Sequence, residues 1–353
     1  MSTVLRLLPL PFIVLGLLSG VLGGLGRSGV YDAPAWATAH HGLLMTGGFL
    51  GSLIVLERTV TQAGLWWRIF PAASAMGTLL LATGQQRLAI SVLLVGNAGL
   101  LAVYVSELRK HAAWPWYAML AGGLCWGMGN VVVLRTGLVA AATPWWMGFI
   151  LLTIVGERLE LTRYLPVPHR AKALLMVILG IAVAGMAMPF HTFGSIVLGA
   201  AMLMATAWLL RYDMARTAVR KAGIHRYVAT GLLVGYGWLL LCGAVLLLGL
   251  GGAKAYDLTL HTFFLGFAFS MIWAHAPIIL PGVLKVAHQP FHPVLWGGWA
   301  LFQLSLFGRI ASTLLHESQL RAIMATANGI TIVAMFGLMA GIMVLKVRAA
   351  ARR

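Results

Sequence analysis

The chain has 353 residues, of which 60% are hydrophobic and only 9% charged, with a mean hydropathy of +0.91. Soluble domains carry about a quarter charged residues, so this composition excludes a soluble domain and makes lipid the solvent. The formal net charge of +17 does not mark a nucleic-acid binder, because Lys and Arg sit in short gaps between apolar runs, where they set topology.

The first element, within MSTVLRLLPLPFIVLGLLSGVLGGLGRSG, has an early positive charge followed by an apolar run of roughly 20 residues, longer than a signal-peptide core. No A-x-A cleavage site closes it, so it is predicted to be the first spanning helix, over 7–26. Apolar stretches bounded by charges or Pro then predict spans over 38–56, 67–84, 88–106, 115–134, 144–162, 171–189, 192–210, 227–250, 257–283, 293–315 and 322–345. Each is close to the roughly 20 residues that cross the hydrocarbon. Pro144, Pro189, Pro281 and Pro290 read as helix starts, ends or breaks. Cys125 and Cys242 lie inside apolar runs and form neither a disulfide framework nor a C-x-x-C pair. The expected fold is all-α: a polytopic membrane protein of twelve transmembrane helices, forming a single integral membrane domain over 1–353.

Charge tests that count. With the N-terminus cytoplasmic, nineteen Lys and Arg fall in inside loops and five outside, leaving Arg309 alone within a helix. This is the positive-inside pattern, and it puts both termini in the cytoplasm. A helix-level repeat accompanies it. Gly48-Phe49 is followed nine residues after the Gly by Glu57, Gly148-Phe149 at the same spacing by Glu157, and Gly266-Phe267 by His275. Spans two, six and ten thus suggest a four-plus-four-plus-four organisation, the alternative being chance matches of a short motif.

Three histidines lie at one depth in this topology, in the outer leaflet: His40 and His41 open span two, and His261 opens span ten. Facing imidazoles are a ready axial pair for haem iron. From His41, the positions Met45, Gly48 and Ser52 share a face flanked by Gly47 and Gly51, small enough for a second helix or a flat macrocycle to approach the backbone. The alternative is that His40 and His41 are interfacial residues reaching headgroups and that His261 is a satisfied core histidine.

The run HGLLMTGGF resembles the H-G-x-x-M pattern in the second helix of haem-copper oxidase subunit I, whose twelve helices form three four-helix arcs. The runs of spans two and ten resemble more closely the NnrS family, twelve-helix membrane proteins described as containing haem and copper and linked to nitric-oxide metabolism in denitrifying bacteria. The resemblance implies the bacterial cytoplasmic (inner) membrane, a b-type haem ligated by His41 and His261, copper more remotely, electron transfer as the chemistry, and a redox protein or quinol as partner. It also has departures. Oxidases place a second histidine two positions from the first on helix ten, where this chain has Thr259 and Phe263. They take copper ligands from helix six, where this chain has none, and from the stretch after helix seven, where His191 is the one candidate. Oxidase-type oxygen reduction is therefore not expected.

Arg309 needs an anion, which haem propionates at the His41 and His261 level would supply; headgroups or Glu317 are the alternatives. At the inner end, Glu57, Glu157 and His275 would form a proton relay if the repeat holds, against local neutralisation by Arg58 and Arg158. A different class of function, a transporter of a small solute or anion lined by His261, Arg309 and Glu57, is also compatible with these residues.

Overall fold

In the computed structural model, residues 8–249, 251–284 and 286–351 are described. Arg6, Lys285, Arg352 and Arg353, all counted in the charge asymmetry, lie outside them. Among the described residues there are twelve long helices and no strand. They are α1 Leu10–Arg27, α2 His41–Val60, α3 Leu65–Ala82, α4 Gln86–Lys110, α5 Trp114–Thr136 and α6 Val139–Tyr164, then α7 His169–Ala187, α8 Phe190–Tyr212, α9 Ile224–Leu247, α10 Gly252–Leu284, α11 Leu295–Leu314 and α12 Ser318–Ala350.

Eleven of these are long and apolar enough to cross a membrane. The exception is α11, which has spanning length but carries Gln303 and Arg309 in its interior. Of the prolines read as helix starts, ends or breaks, Pro144 and Pro281 lie inside helices, near the start of α6 and the end of α10. Pro144 is near the start of α6, where its missing N–H deprives only one early carbonyl of a partner.

The chain forms two compact units, Met1–Thr153 and Ile154–Arg353, divided within α6. In the first, α3 packs on α4, α4 on α5, and α1 against α2. Gly16 and Gly48 make that α1–α2 contact: a Cβ on Gly16 would stand 2.9 Å from the Gly48 carbonyl carbon. In the second, α7 packs on α8, α8 and α10 on α9, and α11 on α12.

One device recurs in both units. Helix α2 is π-helical over Leu44–Gly51 and α10 over His261–Phe269. A π segment shifts hydrogen bonds to i→i+5 and disturbs the ladder at its ends. In α2, Ser52 follows the segment and its hydroxyl donates to the Gly47 carbonyl at 2.9 Å while meeting the Ser74 hydroxyl of α3 at 2.7 Å. In α10, Ser270 holds the matching place, four residues after the Gly of Gly-Phe, and accepts from Gln303 Nε2 of α11 at 2.8 Å. Gln303 Oε1 in turn accepts the Trp238 indole N–H from α9 at 2.7 Å. The polar content that sets α11 apart is thus spent on binding its neighbours.

Candidate functional site

The N-terminal half of α10 puts Asp257 and His261 one turn apart, on the same face. His261 Nδ1 lies 2.7 Å from the Asp257 backbone carbonyl and 3.1 Å from its Oδ1. A carbonyl only accepts, so Nδ1 carries the hydrogen and the neutral ring keeps its lone pair on Nε2. Arg309 reaches in from α11, its Nη2 3.5 Å from Asp257 Oδ1. The same Nη2 is 3.4 Å from His261 Nδ1, a contact of two donors. Arg309 therefore finds its anion inside the chain, in Asp257 rather than Glu317. Asp257 Oδ2 and Arg309 Nε are buried and lack a hydrogen-bond partner.

His41, at the start of α2, is oriented in a related way: its Nδ1 is 2.7 Å from the Gly20 carbonyl of α1, and its ring lies over Gly24 of the same helix. His40 caps the one-turn helix Ala35–Ala39 just before α2, and burial holds its imidazole below the ordinary histidine pKa. Of the two partners expected for the small face of α2, a second helix is the one found. Gly48 is met by Gly16 of α1 and Thr78 of α3, Gly47 by Leu93 of α4, and Gly51 by the Trp126 indole of α5.

His41 belongs to the first unit and His261 to the second. In tautomer both fit an axial ligand, since metal-bound histidines generally donate the other ring N–H to a carbonyl or carboxylate. Among the described residues, no three His, Cys, Asp or Glu side chains are grouped so as to hold a metal ion. His191 is exposed at the start of α8, edge-on to Phe190.

Glu57 lies in the first unit, at 4.0 Å from Arg58; Glu157 and His275 lie in the second. Arg158 pairs not with the adjacent Glu157 but with Asp213, which follows α8, at 4.0 Å, and the pair is 7% and 2% exposed. Asp213 is fixed from its other oxygen by the Ala215 N–H at 2.7 Å. The Tyr236 hydroxyl of α9 lies beside both charges. His275 donates from Nδ1 to the Met271 carbonyl at 2.8 Å, and Arg158 acts on it electrostatically.

Asp257, Asp213 and Tyr236 are the residues that reading the sequence missed. Asp257 had a local signal, a carboxylate four residues before a histidine on one helix. Asp213 and Tyr236 had none, because long-range packing brings them to Arg158.

The family described as a domain of unknown function, DUF8744, matches residues 6–344. No curated protein and no solved structure matches the chain.

Proposed function

We propose that this chain, which belongs to the DUF8744 family, is an integral membrane protein that binds b-type haem, with His261 and His41 as candidate ligands. The observation that carries the reading is the set of the two imidazoles: each commits Nδ1 to a backbone carbonyl, at 2.7 Å in both cases, the tautomer that offers Nε2 to a metal. Bound haem supplies one-electron redox chemistry.

The chain's own residues do the rest. Asp257 holds the His261 ring in place through both its carbonyl and its carboxylate, which raises the basicity of Nε2 as a ligand. Arg309 compensates that carboxylate and keeps Nε as an unspent buried donor, suited to an anionic group such as a propionate. The resemblance to NnrS proteins supports a role in nitric-oxide or respiratory redox metabolism, with a redox protein or a quinol as electron partner. The resemblance also supports the bacterial cytoplasmic membrane, and the charge asymmetry of the loops supports both termini inside.

The test is the absorption spectrum of the purified full-length protein. A Soret band with stoichiometric haem is expected, and His41→Ala and His261→Ala should each lower haem content and change the reduced spectrum. Full haem retention by both variants would falsify the assignment. A colourless protein would favour the transporter reading, for which the Asp257–Arg309 ion pair within the bundle is the supporting observation.

A further inference from the structure

The first unit holds a cavity that neither His40 nor His41 lines. It measures about 450 Å³ and is open to the surface, within the range of about 300–1,000 Å³ of small-molecule sites. Three pieces of chain build it: the last turn of α1, the loop that follows, and the one-turn helix Ala35–Ala39. Glycines let these pieces close up. Gly29, with a φ of 71°, turns the chain at the end of α1. A Cβ on Gly26 would stand 2.7 Å from that of Ala33, and one on Gly23 would strike the Ala37 carbonyl. The short helix is therefore seated directly on the α1 backbone.

The polar lining is one cation, one anion and two hydroxyls: Arg27, Asp32, Tyr31 and Thr38. Only eight residues of the chain are acidic, and five of them stand within 4.0 Å of an Arg or Lys. Asp32 departs from that habit. It shares the cavity with Arg27, yet among the described residues neither is in an ion pair with the other or with any further charge. These two charges select the guest. An inorganic anion suits Arg27 and is opposed by Asp32; a simple cation meets the reverse. A zwitterion satisfies both at once. The Arg27 fork matches phosphate oxygens bidentately. Asp32 only accepts, so it favours a cationic group with N–H to give, which a primary ammonium has and a trimethylammonium lacks. Thr38 gives its hydrogen to the Pro34 carbonyl at 3.4 Å and so offers a second acceptor, while the Tyr31 hydroxyl serves either way.

We propose that this cavity binds phosphoethanolamine, its phosphate on Arg27 and its primary ammonium on Asp32, as the headgroup of a lipid lying along α1 or as the free ester. The surface of α1 favours the lipid. Val14, Leu18 and Leu22 are exposed and follow one another by four residues, so they form one apolar row on the helix. The next place in that row is Gly26, which lines the cavity. An acyl chain laid along the row would bring its headgroup to Arg27 and Asp32. The position agrees, since the end of a spanning helix lies at the headgroup level. Nothing in this depends on haem.

The experiment is native mass spectrometry of the full-length protein, delipidated in detergent and titrated with dihexanoyl lipids that differ only in headgroup: phosphoethanolamine, phosphocholine and phosphoglycerol. The phosphocholine lipid keeps both charges and loses the N–H donors; the phosphoglycerol lipid keeps the phosphate and loses the cation. The phosphoethanolamine lipid should bind about tenfold tighter than either, the worth of one charge-assisted hydrogen bond. Arg27→Gln and Asp32→Asn should each remove that preference. Both residues are exposed, so the unfolding temperature without lipid should stay at the wild-type value. Glycerophosphoethanolamine, which has no acyl chain, separates the two sources: weaker binding than the lipid assigns the cavity to the headgroup, and equal binding assigns it to the free ester. Equal affinity of the wild type for the three lipids, a comparison that needs no variant, would overturn the proposal, as would a preference that survives both substitutions.

Discussion

The two units use the same helical device and hold it in different ways. In the first, the π segment of α2 is clasped by close approach: Gly16 lies against Gly48, Trp126 lies against Gly51, and a side-chain bond between helices at the segment's end joins two serine hydroxyls, Ser52 and Ser74. In the second, the π segment of α10 is tied by longer polar groups, with Gln303 bridging Trp238 and Ser270 and Arg309 on Asp257. Deeper in that unit Arg158 is paired with Asp213. Lipid gives helices no hydrophobic reason to associate, so packing and polar bonds must do it. Both solutions occur in the second unit, where Gly266 also lies against Trp238, and substitution should test each where it stands.

The largest effect is expected at the buried charges. Asp213→Ala leaves Arg158 uncompensated at 6% exposure, and breaking one side of such a buried pair costs about 3–5 kcal/mol. Glu107→Ala in the first unit breaks the Glu107–Lys110 pair, in which the lysine is 53% exposed, a loss of about 0–1 kcal/mol for a surface pair. Thermal unfolding midpoints of the two variants in detergent should therefore differ clearly. Similar midpoints would mean that the second unit does not rely on its buried ion pair.

The close approach of α1 and α2 in the first unit should be sensitive to added volume. Gly16→Leu drives a side chain into the Gly48 backbone, which cannot turn aside, and overpacking of this kind costs about 1–3 kcal/mol. The control is Gly237→Ala in α9, where an added Cβ meets nothing within 4 Å, and no loss is expected. If Gly16→Leu unfolds at the wild-type temperature, the close approach of α1 and α2 is not what holds the π segment.

How much of this was legible follows from how local each signal is. Spanning helices are written in runs of about 20 apolar residues, and all twelve long helices overlap the expected stretches, α11 included despite its polar interior. The π segments were not legible, since a shift of hydrogen bonds by one residue leaves no mark on composition. The small face of α2 was legible as a contact surface, but not which neighbours would fill it. Arg309 was recognisable as needing an anion, and Asp257 is one helical turn before His261, so that pair was within reach. Arg158 drew attention to Glu157 because the two are adjacent. Adjacent residues on a helix do not face each other, and the true partner is Asp213.

The smallest expected effect tests whether the polar ties of the second unit are strong singly or only together. Gln303→Leu removes two interhelical bonds, to Trp238 at 2.7 Å and to Ser270 at 2.8 Å, and leaves the indole N–H without its acceptor. In water an unmet buried donor would be expensive. In a bilayer the separated helices also find partners for their polar groups, and each interhelical bond is worth only about 0.6 kcal/mol on average. The two together should thus cost about 1 kcal/mol, against a single bond's worth for Ser74→Ala, which breaks the serine pair of α2 and α3. Leu also restores apolar surface to α11. If Gln303→Leu proves as damaging as Asp213→Ala, Trp238, Gln303 and Ser270 act as one cooperative network rather than as two additive bonds; a cycle combining Gln303→Leu with Ser270→Ala measures that coupling directly.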